Sequence, residues 1–205
     1  MVTTVHTPVM QLRLAGEATE IDLDALQGLW SDEQYLRLTA QTNRLIEFTD
    51  GVIEVLPMPT RRHQAILGFF YVFFLALMQQ RGGAVFFAPL RVQLRPGKYR
   101  QPDLLLLLNR DDPRNQHDFW LGADLVVEIV SPDNPERDTR VKRVDYAEGG
   151  IPEYWIVNPL SESITVLRLE GGQYVEHGVF RRGDQATSAL LPEVAIPVDA
   201  VFDAN

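Results

Sequence analysis

Long apolar runs separated by short polar breaks dominate the chain, and the length of each run predicts the element that it forms. The longest run is residues 65–78, fourteen apolar residues in succession. Such a run is too long for a typical strand and shorter than the roughly 20 residues that a membrane span needs. It predicts a buried helix that ends at Arg81-Gly82-Gly83, where a basic last turn meets a glycine stop.

Shorter apolar runs bounded by turn residues predict the strands. Residues 44–48 and 52–56 flank Asp50-Gly51, which is a strong hairpin signal between apolar runs. The other expected strands are residues 84–94, 103–108, 125–130 and 153–157, with a C-terminal hairpin at 163–169 and 174–180. We expect residues 95–98 to connect the strands at 84–94 and 103–108, and the chain beyond the second hairpin to form a loosely structured tail.

Two polar segments predict further helices. Ser31 followed by two acidic residues is typical of a capped helix N-terminus, and it predicts a short helix to about Leu38. The Ser-Pro-Asp-Asn-Pro segment at 131–135 ends a strand, and a polar helix is expected from about Arg137 to Glu148. Because a strand precedes this helix and another follows it, we expect a right-handed parallel crossover.

One charge interrupts the apolar pattern. Glu128 lies inside the run 124–130, where an unpaired carboxylate costs several kcal/mol unless it is protonated, ion-paired or bound to a metal. Another carboxylate, Asp103, opens the strand at 103–108, and Lys142, one of the two lysines of the chain, lies on the polar helix. Two acids and a lysine favour metal-assisted phosphodiester chemistry. The alternative is a buried salt bridge between Glu128 and a nearby arginine.

Composition narrows the class of protein. A chain of 205 residues with 45% hydrophobic content predicts one domain, residues 1–205, in which 1–30 are peripheral and the core spans about 63–158. The absence of cysteine excludes disulfides and thiolate metal sites. The first residues lack the basic and apolar regions of a signal peptide, so a cytoplasmic protein with no membrane contact is expected.

The net charge of -9 argues against broad, nonspecific nucleic-acid binding, which needs a basic surface to displace counterions. Local basic groups at residues 61–62, 91–100 and 137–143 weaken this argument, because a groove can be basic on an acidic protein. The alternative is that these arginines only solvate exposed faces.

An ordered set of motifs resembles a known family. The set is Glu47…Asp50-Gly51, His63, Pro102-Asp103, Glu128-Ile129-Val130-Ser131-Pro132, Asp138…Lys142…Tyr146, and Gly150-Ile151-Pro152-Glu153-Tyr154-Trp155-Ile156-Val157. From about residue 31 to 192 the chain is similar to the Uma-type family of putative restriction endonucleases, in the PD-(D/E)XK nuclease superfamily. The resemblance implies an α/β (α+β), restriction-endonuclease-like fold: a central mixed β-sheet flanked by helices, with an N-terminal hairpin and a C-terminal β-hairpin.

The chain departs from the superfamily pattern at one position. The superfamily lysine normally follows the second acid by two residues on the same strand, and Val130 occupies that position here. Lys142 is the natural substitute, because the helix that carries it follows this strand. The alternative is a plain surface ion pair between Lys142 and Asp138, four residues earlier.

The resemblance implies a metal-dependent endonuclease acting on DNA. Asp103 and Glu128 would bind Mg²⁺ or Mn²⁺, Lys142 would assist the attacking water, and His63 would act as a ligand, phosphate contact or proton shuttle. The accessory candidates are Glu47 and, as phosphate contacts, Arg61, Arg62, Arg140 and Arg143. The alternative is a noncatalytic nuclease-fold protein that binds nucleic acid or protein, which the acidic charge favours; hydrolysis of another phosphate ester stays open.

The expected apolar helix carries aromatic residues around its circumference. Such a helix can bury one face against the sheet and present another to a second copy of the chain. A homodimer is therefore one interpretation, and complete burial by the elements of a single chain is the other.

Overall fold

The structure, a computed structural model, describes residues 26–205, so the expectation for residues 1–25 lies outside the described residues. Its helices are α1 (Asp32–Thr39), α2 (Arg61–Arg81), α3 (Lys142–Glu148) and α4 (Val198–Phe202). Its strands are β1 (Ile46–Thr49), β2 (Val52–Val55), β3 (Ala84–Phe87), β4 (Val92–Arg95), β5 (Lys98–Arg100), β6 (Leu104–Leu107), β7 (Leu125–Ile129), β8 (Glu153–Asn158), β9 (Ser163–Glu170), β10 (Gln173–Arg181), β11 (Gln185–Thr187) and β12 (Ala195–Pro197).

The expected central mixed sheet is confirmed, with six strands in the order β10-β9-β8-β7-β6-β3. β7 and β8 run parallel, joined by a crossover that contains α3, whereas the other neighbouring pairs run antiparallel. All residues of β6 and β7 are buried. Strands covered on both faces need apolar side chains on both, which explains why β6 and β7 appear in the sequence as continuous apolar runs.

Helix α2 covers one face of this sheet. It begins at Arg61, earlier than predicted, because the Thr60 side chain caps its N-terminus, and it ends as predicted, with Gly82 in the left-handed conformation at φ 76°. Phe70 and Phe74 pack edge-on against Trp155 of β8. No helix within residues 26–205 has the length and apolarity needed to cross a membrane.

The predicted strand at 84–94 is wrong, because it is divided between two sheets. β3 joins the six-stranded sheet, whereas β4 belongs to a four-stranded sheet of order β2-β1-β5-β4. Pro89 lies between them and has no N–H to donate to a strand ladder, so the pairing is interrupted there. Residues 95–98 therefore form the turn between β4 and β5, and the predicted hairpin of β1 and β2 is part of this second sheet.

The expectation of a loosely structured tail is also wrong. β11 and β12 pair with each other, and α4 follows directly. Leu191, Val201 and Phe202 are buried in the same core cluster as Phe70. These elements are three to five residues long, too short for a recognisable hydrophobic period, and their packing stabilises them.

Candidate active site

A cleft of about 430 Å³ opens at the carboxyl end of β7. All four predicted catalytic residues line it: His63, Asp103, Glu128 and Lys142. His63 lies on α2 and Asp103 lies immediately before β6. Glu128 lies on β7, and Lys142 lies on α3. The fold thus brings together side chains that lie up to 79 positions apart in sequence.

The Asp103 side chain, which lines the cleft, contacts residues of α2 and β7. Its Oδ2 atom accepts a hydrogen bond from the backbone N–H of Ile129 at 2.7 Å and lies 3.0 Å from His63 Nε2. Its own backbone N–H lies 3.4 Å from Glu128 Oε2. The antiparallel register of β6 and β7 therefore places the two predicted carboxylates side by side.

Glu128 is only 2% exposed, as its apolar surroundings predicted. Its Oε1 atom lies 2.7 Å from Lys142 Nζ and accepts a hydrogen bond from the Tyr146 hydroxyl. The expected alternative, a salt bridge to an arginine, is wrong because the cationic partner within the described residues is Lys142.

A π-helical turn, Arg137–Val141, positions Lys142 at the start of α3. The backbone N–H of Lys142 bonds to the carbonyl of Arg137, five residues earlier, so the turn is one residue wider than an α-helical turn. Lys142 Nζ lies 3.2 Å from Asp138 Oδ1, which confirms that this ion pair exists. Both side chains are buried, however, so the pair belongs to the site and not to the surface.

Asp103, Glu128, Asp138 and Lys142 form one cluster, and Glu47 joins it from β1 of the four-stranded sheet. Its buried carboxylate lies 3.8 Å from Lys142 Nζ and 3.5 Å from Arg100 Nε, and it also accepts a hydrogen bond from Arg137. Burial acts to raise the pKa of Glu47, but Lys142, Arg100 and Arg137 together outweigh burial and lower it. Glu47 is therefore ionised, and it forms ion pairs with the cationic side chains of the site.

Two other acids of the cluster, Glu128 and Asp138, are harder to ionise. Burial raises the pKa of Glu128 to about 8; Lys142 opposes this shift, and the neighbouring Asp103, Asp138 and Glu47 add to it. Burial also raises the pKa of Asp138. Burial acts to lower the pKa of Lys142, but the surrounding carboxylates outweigh it and raise that pKa. Like charges in one low-dielectric site oppose each other's ionisation, so this cluster favours an added cation.

The donor set fits a hard divalent cation that is only partly coordinated by protein. Within residues 26–205, no group of three histidine, aspartate or glutamate side chains is placed to hold a metal ion. Asp103 and Glu128 nevertheless provide adjacent carboxylates. Magnesium commonly binds through one or two carboxylates and takes its other ligands from water and substrate phosphates. The two acids suit that mode of binding.

Of the four arginines predicted to contact phosphate, one lines the cleft and three do not. Arg62 lines the cleft, 3.7 Å from Glu162. Arg61, Arg140 and Arg143 are not among the residues that line it. The Arg140 side chain is exposed beside Glu136, and Arg143 donates to the carbonyl of Tyr174.

Sequence reasoning assigned no role to Tyr146 and Arg137, although both contact the cluster directly. Tyr146 donates to Glu128, and Arg137 lines the cleft and donates to Glu47. The four-residue spacing of Asp138, Lys142 and Tyr146, one helical face, was a usable signal for Tyr146. Arg137 gave no such signal, because the π-helical turn and the second sheet together place it.

Comparisons with known proteins agree with this fold. A family model described as "Uma2: Putative restriction endonuclease" matches residues 32–199. The chain is similar to a crystal structure of a putative nuclease belonging to DUF820 from Anabaena variabilis, with a TM-score of 0.67 and 21% identity over 82% of this chain and 96% of that one. This likeness confirms the restriction-endonuclease-like fold. Among curated proteins, none matches the chain.

Proposed function

The chain belongs to the Uma2 family of putative restriction endonucleases, and we propose that it is a metal-dependent endonuclease that hydrolyses phosphodiester bonds of DNA. The observation that carries this proposal is Glu128. It is buried beside Asp103 in the wall of an open cleft, among carboxylates that raise its pKa. Strongly perturbed acids in a cleft are typical of functional sites.

Asp103 and Glu128 would hold Mg²⁺ or Mn²⁺. Such an ion, when bound, lowers the pKa of a water and stabilises charge on phosphate oxygens. Glu128 Oε2 lies 3.4 Å from the backbone nitrogen of Asp103, so the two residues are already adjacent.

Lys142 acts as a cation in this proposal. Its pKa is raised by the surrounding carboxylates, so at neutral pH its ammonium donates hydrogen bonds and does not accept a proton. From its place beside Glu128 it would hold the attacking water or stabilise negative charge developing on the phosphate. His63 would orient Asp103 through the contact between its Nε2 atom and Oδ2.

We propose that residues 1–205 act as one domain in the cytoplasm. The support for a single domain is that the site draws Glu47 from the four-stranded sheet and Glu128 from the six-stranded sheet. Neither sheet alone would assemble the cluster.

A homodimer is a further part of the proposal. Val72 on α2 is 67% exposed, and Phe86 and Phe87 are exposed on β3, at the edge of the six-stranded sheet. Exposed apolar side chains at a sheet edge suit contact with a second chain. Light scattering that reports a monomer at all working concentrations would exclude the dimer.

A noncatalytic nuclease-fold protein that binds nucleic acid or protein is the second candidate; its support is the net charge of -9, which argues against a broad nucleic-acid-binding surface. Cleavage of plasmid and oligonucleotide DNA with Mg²⁺, with Mn²⁺ and with chelator separates the two. We expect Glu128→Gln to abolish metal-dependent cleavage and Asp133→Asn, which alters an exposed acid on the cleft rim, to retain it. Equal cleavage by wild type and Glu128→Gln excludes the proposed mechanism.

A further inference from the structure

The cleft and a second cavity share four lining residues: Glu54, Asn134, Arg137 and Lys142. Arg137 lines both the cleft of about 430 Å³ and an adjoining cavity of about 270 Å³. It was not among the predicted phosphate contacts, and it lies closer to the acidic cluster than they do, through its bond to Glu47.

The two carboxylates that hold Arg137 differ in exposure. Glu47 and Glu54 are directly opposite each other on the antiparallel strands β1 and β2, and Arg137 bonds to both. Glu47 is buried and also contacts Lys142 and Arg100. Glu54 is 59% exposed and, within residues 26–205, pairs with Arg137 alone. An exposed ion pair contributes little, so the bond to Glu54 is the exchangeable one.

The guanidinium also has an unused donor. Arg137 Nε is buried and finds no hydrogen-bond acceptor in the part of the chain that the structure describes. Buried donors without a partner are rare in folded proteins. An anion with several oxygen atoms would satisfy donors that the two glutamates leave unused, and arginine is well suited to bind phosphate in this way.

We propose that Arg137 binds a phosphate of the nucleic-acid substrate, and that Glu54 occupies the place of that phosphate until substrate enters. The proposal rests on the function proposed above for the cleft. It also accounts for an acidic protein binding a polyanion: the cation used for binding is masked by an exposed carboxylate, and the substrate exchanges with that carboxylate.

The test is binding of a short, fluorescein-labelled single-stranded DNA by fluorescence anisotropy, without divalent metal. Glu54→Gln removes the competing charge and should tighten binding about two- to fivefold. Arg137→Gln should weaken binding about tenfold or more. Glu136→Gln is the matched control, because it removes the same charge from the same cavity and pairs with Arg140 instead. It should bind like wild type.

The double variant Glu54→Gln/Arg137→Gln distinguishes exchange from a general charge effect. If Glu54 acts by masking Arg137, the gain from Glu54→Gln vanishes when Arg137 is absent. A gain that persists, an equal gain in Glu136→Gln, or no binding by wild type and Glu54→Gln overturns the proposal. If Arg137→Gln does not fold, the comparison of Glu54→Gln with Glu136→Gln still decides.

Cleavage measured on the same preparations separates this proposal from the nuclease function. DNA cleavage by wild type combined with normal DNA affinity in Arg137→Gln refutes the phosphate site and leaves the nuclease standing. Binding that depends on Arg137, with no cleavage in Mg²⁺ or Mn²⁺, refutes the nuclease and leaves the phosphate site standing. If Arg137 only bridges the β1–β2 hairpin, its variant loses thermal stability and keeps its affinity.

Discussion

Two glutamates are buried on the neighbouring parallel strands β7 and β8, and the groups around their carboxylates differ. Neutral hydrogen-bond donors surround one carboxylate, whereas charged side chains surround the other. Glu153 on β8 is fully buried, and within residues 26–205 it accepts hydrogen bonds only from neutral donors. These are Trp155 Nε1 and Ser188 Oγ, both at 2.6 Å, and the backbone N–H groups of Ala189 and Leu190, both at 2.7 Å. Through these bonds Glu153 attaches the C-terminal segment to the central sheet.

Glu128 on β7 has fewer neutral donors and more charged neighbours. It contacts Lys142, lies beside Asp103 and lines the open cleft. Both glutamates belong to the motifs by which the chain resembles its family. Burial of a carboxylate therefore does not by itself indicate chemistry; like-charged neighbours and contact with a cleft do.

Loss of the cation beside Glu128 should have the largest effect. Lys142→Met should lower DNA cleavage by about 10²- to 10³-fold, because a preorganised charge at the reacting phosphate is removed. The chain's other lysine, Lys98, pairs with Asp145 and Glu148 away from the cleft lining and provides the matched control. The measurement is the single-turnover cleavage rate, with circular dichroism to verify folding. Equal rates in Lys142→Met and wild type contradict the assignment.

Substitution of Glu153 should lower the free energy of unfolding more than substitution of Glu128. Glu153→Gln should lower the free energy of unfolding by about 2 to 4 kcal/mol, because an amide cannot accept from all the donors that meet there. Glu128→Gln at pH 8 should cost at most about 1 kcal/mol. Urea unfolding of both variants measures the difference. A larger loss in Glu128→Gln reverses our view of the two sites.

Manganese should stabilise the protein through the site that contains Glu128 and not through Glu153. At ten to a hundred times its dissociation constant, the ion should add about 1 to 3 kcal/mol to the free energy of unfolding of wild type. Glu128→Gln should show no such gain, whereas Glu153→Gln, although less stable, should retain it. Thermal unfolding with and without Mn²⁺ provides the measurement. A gain in Glu128→Gln places the ion elsewhere.

The pH dependence of stability should differ between wild type and Glu128→Gln. Burial raises the pKa of Glu128 from 4.5 to about 8, so between these values the native state holds a proton that the unfolded chain has released. Stability therefore falls as pH rises through this window, by up to about 1.4 kcal/mol per pH unit. Urea unfolding at pH 5 to 8 with chelator should show this extra slope in wild type and not in Glu128→Gln. Parallel slopes contradict the assignment.

The groups that face Glu128 in this experiment are Asp103, Asp138, Glu47, Lys142 and Tyr146. All of them are present in both proteins, so the difference between the two slopes reports on Glu128.

The local pattern of apolar residues was sufficient to predict an element where burial alone determines its sequence. α2, β7 and β8 were predicted because continuous apolar runs need cover on both sides. The strand at 84–94 was predicted wrongly because the apolar pattern continues across Pro89 while the pairing partner changes, and pairing is a non-local property. The tail was missed for the same reason, since short segments there are held by a distant residue, Glu153.

The candidate site shows the same division. Glu128 and Asp103 were recognised as charges in apolar surroundings, and Lys142 as the missing cation. Arg137 was missed because its position depends on a hairpin ninety residues away, where Glu47 and Glu54 face each other. Neither spacing nor composition encodes that contact. The roles of these residues remain predictions, although their proximity is a feature of the fold.

The π-helical turn before α3 changes how the position of an ammonium group can evolve. A lysine on a strand can point to only two sides, whereas one on a helix points in a direction set by the number of residues that precede it. Deleting one residue from the turn Arg137–Val141 would rotate Lys142 by about 100° around the helix axis. One inserted residue can have the reverse effect, so insertion and deletion can redirect the ammonium group while every strand of the sheet keeps its sequence.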